Sequence, residues 1–258
     1  MLVWLLQTGE SLHCDQGKPR PMRAMNLANK LVDAGHSVVL WSSAFHHQTK
    51  THRSKVFKKI KISGSLEIRL IPSPGYKRNI SASRFYDHCV LAWNLNKHLN
   101  ECHKAPDVAF VGYPPIEAAY VMGKWLKKRE IPFLLDVKDQ WPNVLVESFP
   151  KPVKFLARAL FTPYYLIAKK AMQNTSGICA HTLGFVDWAT TFSRRGPSAH
   201  DFFAPLTAPK GDIDSALMLS AQKWWSDQGV IKIPVLRVIF VGSFSRAFDF
   251  DAIFDAAK

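Results

Sequence analysis

The sequence has no paired cysteine motif, no long hydrophobic run and no basic leader. Its four cysteines are scattered over 258 residues without a CxxC pair, which excludes a disulfide framework and indicates free thiols in a reducing compartment. No window reaches the roughly 18 uninterrupted apolar residues of a membrane-spanning helix. The opening segment, Met1 to Leu6, is too short for a signal peptide and predicts a strand. We therefore expect a cytoplasmic protein.

Acidic residues are scarce as well. The chain has 34 lysines and arginines against 20 acidic residues, for a net charge of +14, which favours nucleic acid, phosphorylated substrates or acidic lipid head groups as partners. The densest basic run, Lys50 to Lys61, predicts a solvated loop or helix face, or else a docking patch. Only Phe57 adds an aromatic ring to it, whereas nucleic-acid modules interleave several. Nucleic acid is therefore not the expected partner, and a basic nucleic-acid-binding protein is the last alternative, resting on charge alone.

Short apolar runs alternate with amphipathic segments along the chain, which is the pattern of βαβ units. The predicted strands are Val3 to Thr8, Ser37 to Trp41, Leu66 to Ile71, Asp107 to Gly112, Ile131 to Asp136 and Ser176 to Ala180. The predicted helices are Pro21 to Ala34, Tyr86 to Leu99, Pro115 to Lys128, and a pair broken at Pro163 within Pro152 to Met172. The sequence thus predicts an α/β fold with a Rossmann-like, mostly parallel sheet and helices on both faces.

The end of the sequence predicts the start of another domain. From Leu236 it reads as a buried strand, a glycine turn and an opening helix, the unit in which small residues and helix N–H groups approach phosphate. We expect an N-terminal Rossmann-like domain over residues 1–207, a connector over 208–232 and an incomplete C-terminal domain over 233–258.

Two segments of the first domain predict ligand contacts. In the loop after the first strand, Gly9 and Gly17 permit tight turns, while Arg20 and Arg23 either donate to an anion or decorate the surface. The second segment follows a buried strand and carries Asp136 and Asp139.

Ligands of open α/β sheets bind at the carboxyl ends of the strands, where Asp136 lies. This aspartate either faces a ligand or caps the turn that follows.

Three strings resemble the GT-B glycosyltransferases of the family-four type, in which two Rossmann-like domains face each other across a cleft. The segment from Arg23 to Val38 is similar to that family's Arg, Leu-Ala, Leu, Gly-His-x-Val string. The segment from Asp136 to Pro142 resembles an Asp-x-x-Asp-x-Trp-Pro motif, and Phe240 to Arg246 is similar to a Phe-x-Gly-x-Leu turn. The chain departs from the pattern at Phe248-Asp249, where Lys-Gly is common, and it carries no acidic donor-binding motif after this turn.

The resemblance implies a retaining glycosyltransferase that takes a nucleotide-sugar as co-substrate, in polysaccharide or lipid-linked glycan biosynthesis, with this chain as its acceptor-side domain. It implies no cofactor and no metal. The implied catalytic residues are Asp139 and Asp136. The implied acceptor-binding residues are Gly9, Gly17, Arg20, Arg23 and Tyr113, and the implied donor-phosphate residues are Gly242, Ser243 and Arg246.

The expected partners are a nucleotide-sugar donor and a glycan or lipid-linked acceptor. The basic, apolar segment from Pro152 to Met172 predicts either a pair of ordinary domain helices or peripheral contact with the anionic inner face of the cytoplasmic membrane. An alternative is a non-catalytic, truncated or split half that needs a separate donor-binding polypeptide, because an incomplete parallel sheet leaves backbone groups unpaired.

Overall fold

The computed structural model describes residues 1–17, 19–79, 81–147, 149–206, 214–230, 237, 239–240 and 249–256. The chain divides into two compact units, Met1–Pro209 and Lys210–Lys258. The first unit contains the α/β sheet, and the second contains two described helices.

Strands and helices alternate along most of the first unit, as the sequence predicts, but five strands follow one another between residues 37 and 71. The described strands are β1 (Leu2–Leu6), β2 (Ser37–Ser43), β3 (Phe45–His46), β4 (Thr51–His52), β5 (Lys58–Lys61), β6 (Leu66–Ile71), β7 (Val108–Tyr113), β8 (Phe133–Val137), β9 (Gly177–Ala180) and β10 (Phe202–Phe203). The described helices of the first unit are α1 (Arg23–Asp33), α2 (Ala82–Asn100), α3 (Ile116–Lys127), α4 (Asn143–Glu147), α5 (Lys154–Leu160), α6 (Thr162–Gln173) and α7 (Leu183–Ser193). A 3-10 turn, Lys151–Val153, precedes α5.

The main sheet has the strand order β10-β9-β8-β7-β1-β2-β6-β5 among the described residues. Neighbouring strands are parallel, except that β5 is antiparallel to β6. Because β1 lies between β2 and β7, the chain builds outward on one side of β1 and then crosses to the other. The loops after β1 and β7 therefore run in opposite directions along the edge of the sheet. The gap between them is the topological switch point, where doubly wound sheets bind ligands. The predicted α/β, mostly parallel sheet is confirmed.

Side chains of β1 alternate between two cores, as the pleat of a strand requires. Val3 and Leu5 belong to the core that α1 covers. Trp4 and Leu6 belong to the larger core on the opposite face, under α2, α3 and α6. Trp4 stacks on Trp125 of α3, with ring centroids 5.3 Å apart. Helices thus cover both faces of the sheet, as the sequence predicts.

The helix bounds predicted from the sequence are wrong where the first turn of a helix is polar. Helix α2 begins at Ala82 and not at Tyr86, because the Ser81 side chain caps it by accepting a hydrogen bond from the backbone N–H of Arg84 at 3.2 Å. Helix α7 was not predicted, although Thr182 caps it in the same way from Phe185 N at 3.3 Å.

The basic segment was predicted as a loop or helix face, which is wrong over Lys58–Lys61. These residues form β5, the edge strand that pairs with β6. Ile60 packs against the core while the three lysines are exposed. Lysines on an edge strand discourage pairing with another chain, which explains why a polar segment forms a strand here.

The second unit contains α8 (Ser215–Asp227) and α9 (Phe250–Ala256). Helix α8 falls within the predicted connector, and α9 falls where the sequence predicts an opening helix. The predicted glycine turn, with Gly242, Ser243 and Arg246, lies outside the described residues. Within the described part of the chain, no helix is long and apolar enough to cross a membrane.

Gly112 offers a test of how closely β7 packs at the switch point. A Cβ atom there would lie 2.9 Å from the backbone oxygen of Leu6 and would overlap the Gln7 side chain. We expect Gly112→Ala to lower the free energy of unfolding in urea by about 1–3 kcal/mol. The control is Gly64→Ala, where no atom lies within 4 Å and the expected change is within about 0.5 kcal/mol. Equal losses in both variants would contradict this close packing.

Candidate functional site

A cavity of about 280 Å³ opens at the carboxyl edge of the sheet, where β1 and β7 diverge. Its wall is built by the residues that follow β1, β2, β7, β8 and β9, and by one face of α2. The charged and imidazole side chains of the lining are Glu10, His47, Arg84, Asp87, His88, Lys138, Asp139 and His181.

Glu10 joins three elements at the base of this cavity. It is 4% exposed, and its Oε2 accepts a hydrogen bond from the Ala24 N–H in the first turn of α1 at 2.8 Å. Its Oε1 accepts from Gln7 Nε2 at 3.0 Å and forms an ion pair with Lys138 Nζ. A carboxylate at this helix start is stabilised by the helix dipole. Glu10 therefore fixes the loop after β1 against both α1 and the end of β8.

Asp136 lies behind the cavity and not in its lining. It is 0% exposed at the end of β8, with Oδ1 3.1 Å from Arg23 Nη2 and Oδ2 3.8 Å from Lys138 Nζ. Burial raises the pKa of Asp136, while the charges of Lys138 and Arg23 act in the opposite direction. Arg23 also donates to the Ala204 carbonyl at 2.7 Å. The structure therefore holds Asp136 and Arg23 in an internal ion pair, and it does not place Asp136 as a cap of the following turn.

Asp139 takes the other position, at the mouth of the cavity. Partial loss of surrounding water raises the pKa of this carboxyl group, opposed by the nearby charges of His181 and Arg84. A raised pKa brings a carboxylate closer to neutral pH, where a general base is most effective. Of the two predicted catalytic aspartates, only Asp139 is thus brought to the cavity surface.

The imidazoles of His47 and His88 are neutral at physiological pH. Burial lowers the pKa of His47 to about 4, with further lowering by Lys50 and Arg84. Burial also lowers the pKa of His88 to about 3, again helped by Arg84. His47 Nδ1 lies 2.6 Å from the Tyr76 hydroxyl. These rings therefore serve as hydrogen-bonding groups and do not add positive charge to the cavity.

Arg84 is the cation that this site leaves without a counter-ion. Its guanidinium lies over the rings of Trp141 at 4.7 Å and Tyr76 at 5.5 Å, and Nη1 donates to the Asn79 carbonyl at 2.7 Å. In the part of the chain that the structure describes, no carboxylate lies within 4 Å of it. The ring contacts hold its charge in place for an anion.

Glu117 lies behind His88, away from water. Its Oε1 accepts a hydrogen bond from the Tyr164 hydroxyl at 3.1 Å, and its Oε2 lies 3.7 Å from His88 Nδ1. Burial raises the pKa of Glu117 to about 7. A carboxyl group that titrates near neutral pH therefore lies behind the wall of the site, next to His88.

The structure separates the other predicted acceptor-binding residues. Gly9 lines the cavity, whereas Gly17 and Arg20 lie farther along the loop before α1 and do not. Tyr113 is 0% exposed, and its hydroxyl donates to the Trp141 carbonyl at 2.6 Å. The prediction that Tyr113 offers a packing surface to an acceptor is therefore wrong, because the ring belongs to the core.

The sequence prediction missed the α2 residues of the site. Arg84, Asp87 and His88 are spaced i, i+3 and i+4, and they continue the helix face that carries Leu91 and Leu95 into the core. Residues at this spacing share a helix face. Charged side chains on an otherwise apolar stripe were the signal that could have identified them.

Comparison with protein-family models finds no match, and comparison with curated proteins finds none either. Among solved structures the chain is similar to a sucrose-phosphate synthase of Thermosynechococcus elongatus, with 11% identity, TM-score 0.46, and coverage of 89% of this chain and 99% of that one. It is also similar to the catalytic domain of starch synthase IV of Arabidopsis thaliana bound to ADP and acarbose, with 9% identity, TM-score 0.47, and coverage of 80% and 51%.

A third similar structure is an α,α-trehalose 6-phosphate synthase of Burkholderia multivorans, with 12% identity, TM-score 0.44, and coverage of 89% of this chain and 53% of that one. This chain spans about half the length of the starch synthase and trehalose 6-phosphate synthase structures. With TM-scores below 0.5, these similarities do not assign an activity to this chain.

The ion pair of Arg23 and Asp136 predicts a large effect on stability. Removing Arg23 leaves the buried Asp136 with Lys138, 3.8 Å away, as its remaining counter-charge, so we expect Arg23→Met to destabilise the protein by up to about 3–5 kcal/mol. Lys30→Met is the matched control on α1, because Lys30 is exposed and only reaches Asp33 at 3.9 Å; its expected effect is within about 0.5 kcal/mol. Urea unfolding measures both, and similar values would argue against a structural role for the pair.

Glu117 predicts a specific dependence of stability on pH. Because its pKa is raised from 4.5 to about 7 in the folded state, the folded protein binds the proton more tightly, and stability falls as pH rises through this window. Relative to Glu117→Gln, the wild type should lose roughly 3 kcal/mol of unfolding free energy between pH 4 and pH 9. Glu147→Gln, at an exposed position of α4, should follow the wild-type curve. A Glu117→Gln curve parallel to the wild type would contradict the raised pKa.

Proposed function

We propose that this chain is the acceptor-side part of a retaining, nucleotide-sugar-dependent glycosyltransferase of the GT-B, family-four type, acting in polysaccharide or lipid-linked glycan biosynthesis. The observation that carries the proposal is the position of Asp139 at the mouth of the switch-point cavity, within the string that resembles the family's Asp-x-x-Asp-x-Trp-Pro motif. The similar Arg23 to Val38 string supports it, since this segment forms α1 and the start of β2.

In this proposal, Asp139 acts on the acceptor hydroxyl. Its carboxylate orients the hydroxyl and takes its proton while the oxygen bonds to the anomeric carbon of the donor sugar. The sugar–phosphate bond breaks on the same face of the sugar to release the nucleoside diphosphate, so the anomeric configuration is retained. Asp136 is the weaker candidate, because its charge is engaged by Arg23 and Lys138. No step requires a metal or a cofactor.

The proposed acceptor contacts are Gly9 in the cavity, with Gly17 and Arg20 on the loop that follows it. The donor diphosphate is assigned to Gly242, Ser243 and Arg246, on the strength of the sequence resemblance and the affinity of glycine turns and helix starts for phosphate. These residues belong to the proposed donor-binding domain over 233–258.

We also propose that the protein works in the cytoplasm, against the anionic inner face of the membrane. Helix α5 exposes Phe155 and Leu156 beside Lys154 and Arg158, and residues 151–173 contain no acidic side chain. An amphipathic surface of this composition favours anionic lipid over water.

A second candidate is an acceptor-binding half that works with a separate donor-binding polypeptide. The observation that favours it is the apolar surface of α8, on which Leu217, Trp224 and Trp225 share one face and are exposed. Apolar side chains that are exposed together mark a surface for another protein. This candidate predicts that transfer requires addition of the second polypeptide.

Glycosyl transfer tests the main proposal. The purified protein is incubated with radiolabelled nucleotide-sugars and a solvent extract of membrane lipids and glycans, and labelled product is counted. We expect Asp139→Asn to lower the rate about 10²–10⁴-fold, the usual contribution of a general base. Asp187→Asn, at an exposed position of α7, removes the same charge elsewhere and should keep the wild-type rate.

The outcomes separate the candidates. Equal rates for Asp139→Asn and the wild type would remove Asp139 as the base. Failure of every nucleotide-sugar to bind or to transfer, with or without added polypeptide, would overturn both candidates.

A further inference from the structure

An apolar groove of about 600 Å³ lies between the start of α2 and the helices α4, α5 and α6. Its volume lies within the range of about 300–1,000 Å³ that is typical of small-molecule sites. The large apolar side chains of its lining are Phe85, Trp141, Phe149, Leu160, Phe161 and Ile167. The proposed transfer chemistry does not use this groove.

The groove adjoins the switch-point cavity. Arg84 and His88 line both of them, so a ligand in the groove meets the same guanidinium as a ligand in the cavity. Arg84 lies in the first turn of α2, where the helix dipole disfavours a cation, and no described carboxylate lies within 4 Å of it. A positive charge at this junction is stabilised when an anionic ligand group binds beside it.

The polar lining of the groove lies at one end. Asn79, Ser81, Arg84 and His88 all come from the segment that starts α2, while the Tyr164 hydroxyl is already bonded to Glu117. A peptide in the rest of the groove would leave its backbone N–H and C=O groups without partners, which is costly away from water. A hydrocarbon chain requires no such partners, and it therefore fits this lining better than a polypeptide does.

The rim of the groove matches an anionic lipid surface. On α5, Phe155 is 80% and Leu160 is 77% exposed, and within this helix only Ala157 is buried. Lys154 and Arg158 flank these apolar side chains. Apolar groups ringed by cations complement a lipid with a negatively charged head group.

We propose that the groove binds the hydrocarbon chain of a phosphate-headed lipid, with the phosphate at Arg84. The head group beyond the phosphate then extends into the cavity towards Asp139. This last part rests on the proposed function, because it makes the lipid the acceptor; the binding of chain and phosphate does not depend on it.

Alkyl phosphates provide the test. Binding of hexyl, octyl and decyl phosphate to the purified protein is measured by isothermal titration calorimetry below their micelle concentrations, with inorganic phosphate as the chainless probe. Each added methylene that enters the groove should raise the affinity about fourfold. Affinity that does not depend on chain length would overturn the proposal.

Four variants locate the bound chain and the phosphate. Leu160→Glu should weaken decyl phosphate binding at least about threefold, because it replaces an apolar contact at the edge of the groove with a carboxylate. Leu166→Glu, at a 56% exposed position of α6 outside the groove, should stay within about twofold of the wild-type affinity.

Arg84→Gln should lower the affinity for decyl phosphate about tenfold and leave the affinity for decyl glucoside unchanged, since only the phosphate pairs with the guanidinium. Arg129→Gln, at an exposed position outside the groove, is the control for Arg84→Gln and should leave the binding of both compounds unchanged.

The binding affinities and the glycosyl transfer rate together distinguish the groove assignment from the proposed function. Equal losses in Leu160→Glu and Leu166→Glu, or equal loss of decyl glucoside in Arg84→Gln, would overturn the groove assignment. Chain-dependent binding with no glycosyl transfer would support the groove and overturn only the transferase.

Discussion

The buried charges at the base of the cavity are the constraint on which the site depends. Glu10 pairs with Lys138, and Asp136 pairs with Arg23, so the loop after β1, the start of α1 and the end of β8 are fixed to one another. A buried charge is strongly disfavoured unless an opposite charge lies beside it, so these contacts determine where the loops lie. They also decide which groups remain for a ligand, because Asp139 and Arg84 are outside these pairs.

The position of these charges follows from the sheet. Parallel strands buried on both faces need apolar side chains throughout, as in β1, and polar groups can gather only where the strands end. Since β1 is the strand from which the chain turns to either side, its following loop and that of β7 leave a gap at this edge. The fold therefore places the charged side chains of the cavity beside the buried core of the sheet.

Much of this fold could be predicted from the sequence because the signals were local. Leu66–Ile71 alternates in polarity and is followed by proline, and its predicted and observed bounds agree. Lys58–Lys61 could not be read as a strand, since its pairing with β6 is a tertiary contact. Asp139 was found because its segment resembles the Asp-x-x-Asp-x-Trp-Pro motif, which is a local signal as well. The partnership of Asp136 with Arg23, and the charge of Arg84 beside Trp141, depend on residues far apart in sequence that only folding brings together.

The two binding regions are coupled through the groups between them. His88 is neutral, and the charge of Arg84 holds the pKa of Glu117 below the value that burial alone would give. An anion bound at Arg84 would offset that charge and would therefore favour the protonated form of Glu117. Because linkage is reciprocal, protonation of Glu117 favours anion binding by the same factor. The coupling runs through Arg84 and His88, which line both the cavity and the groove and separate them from Glu117.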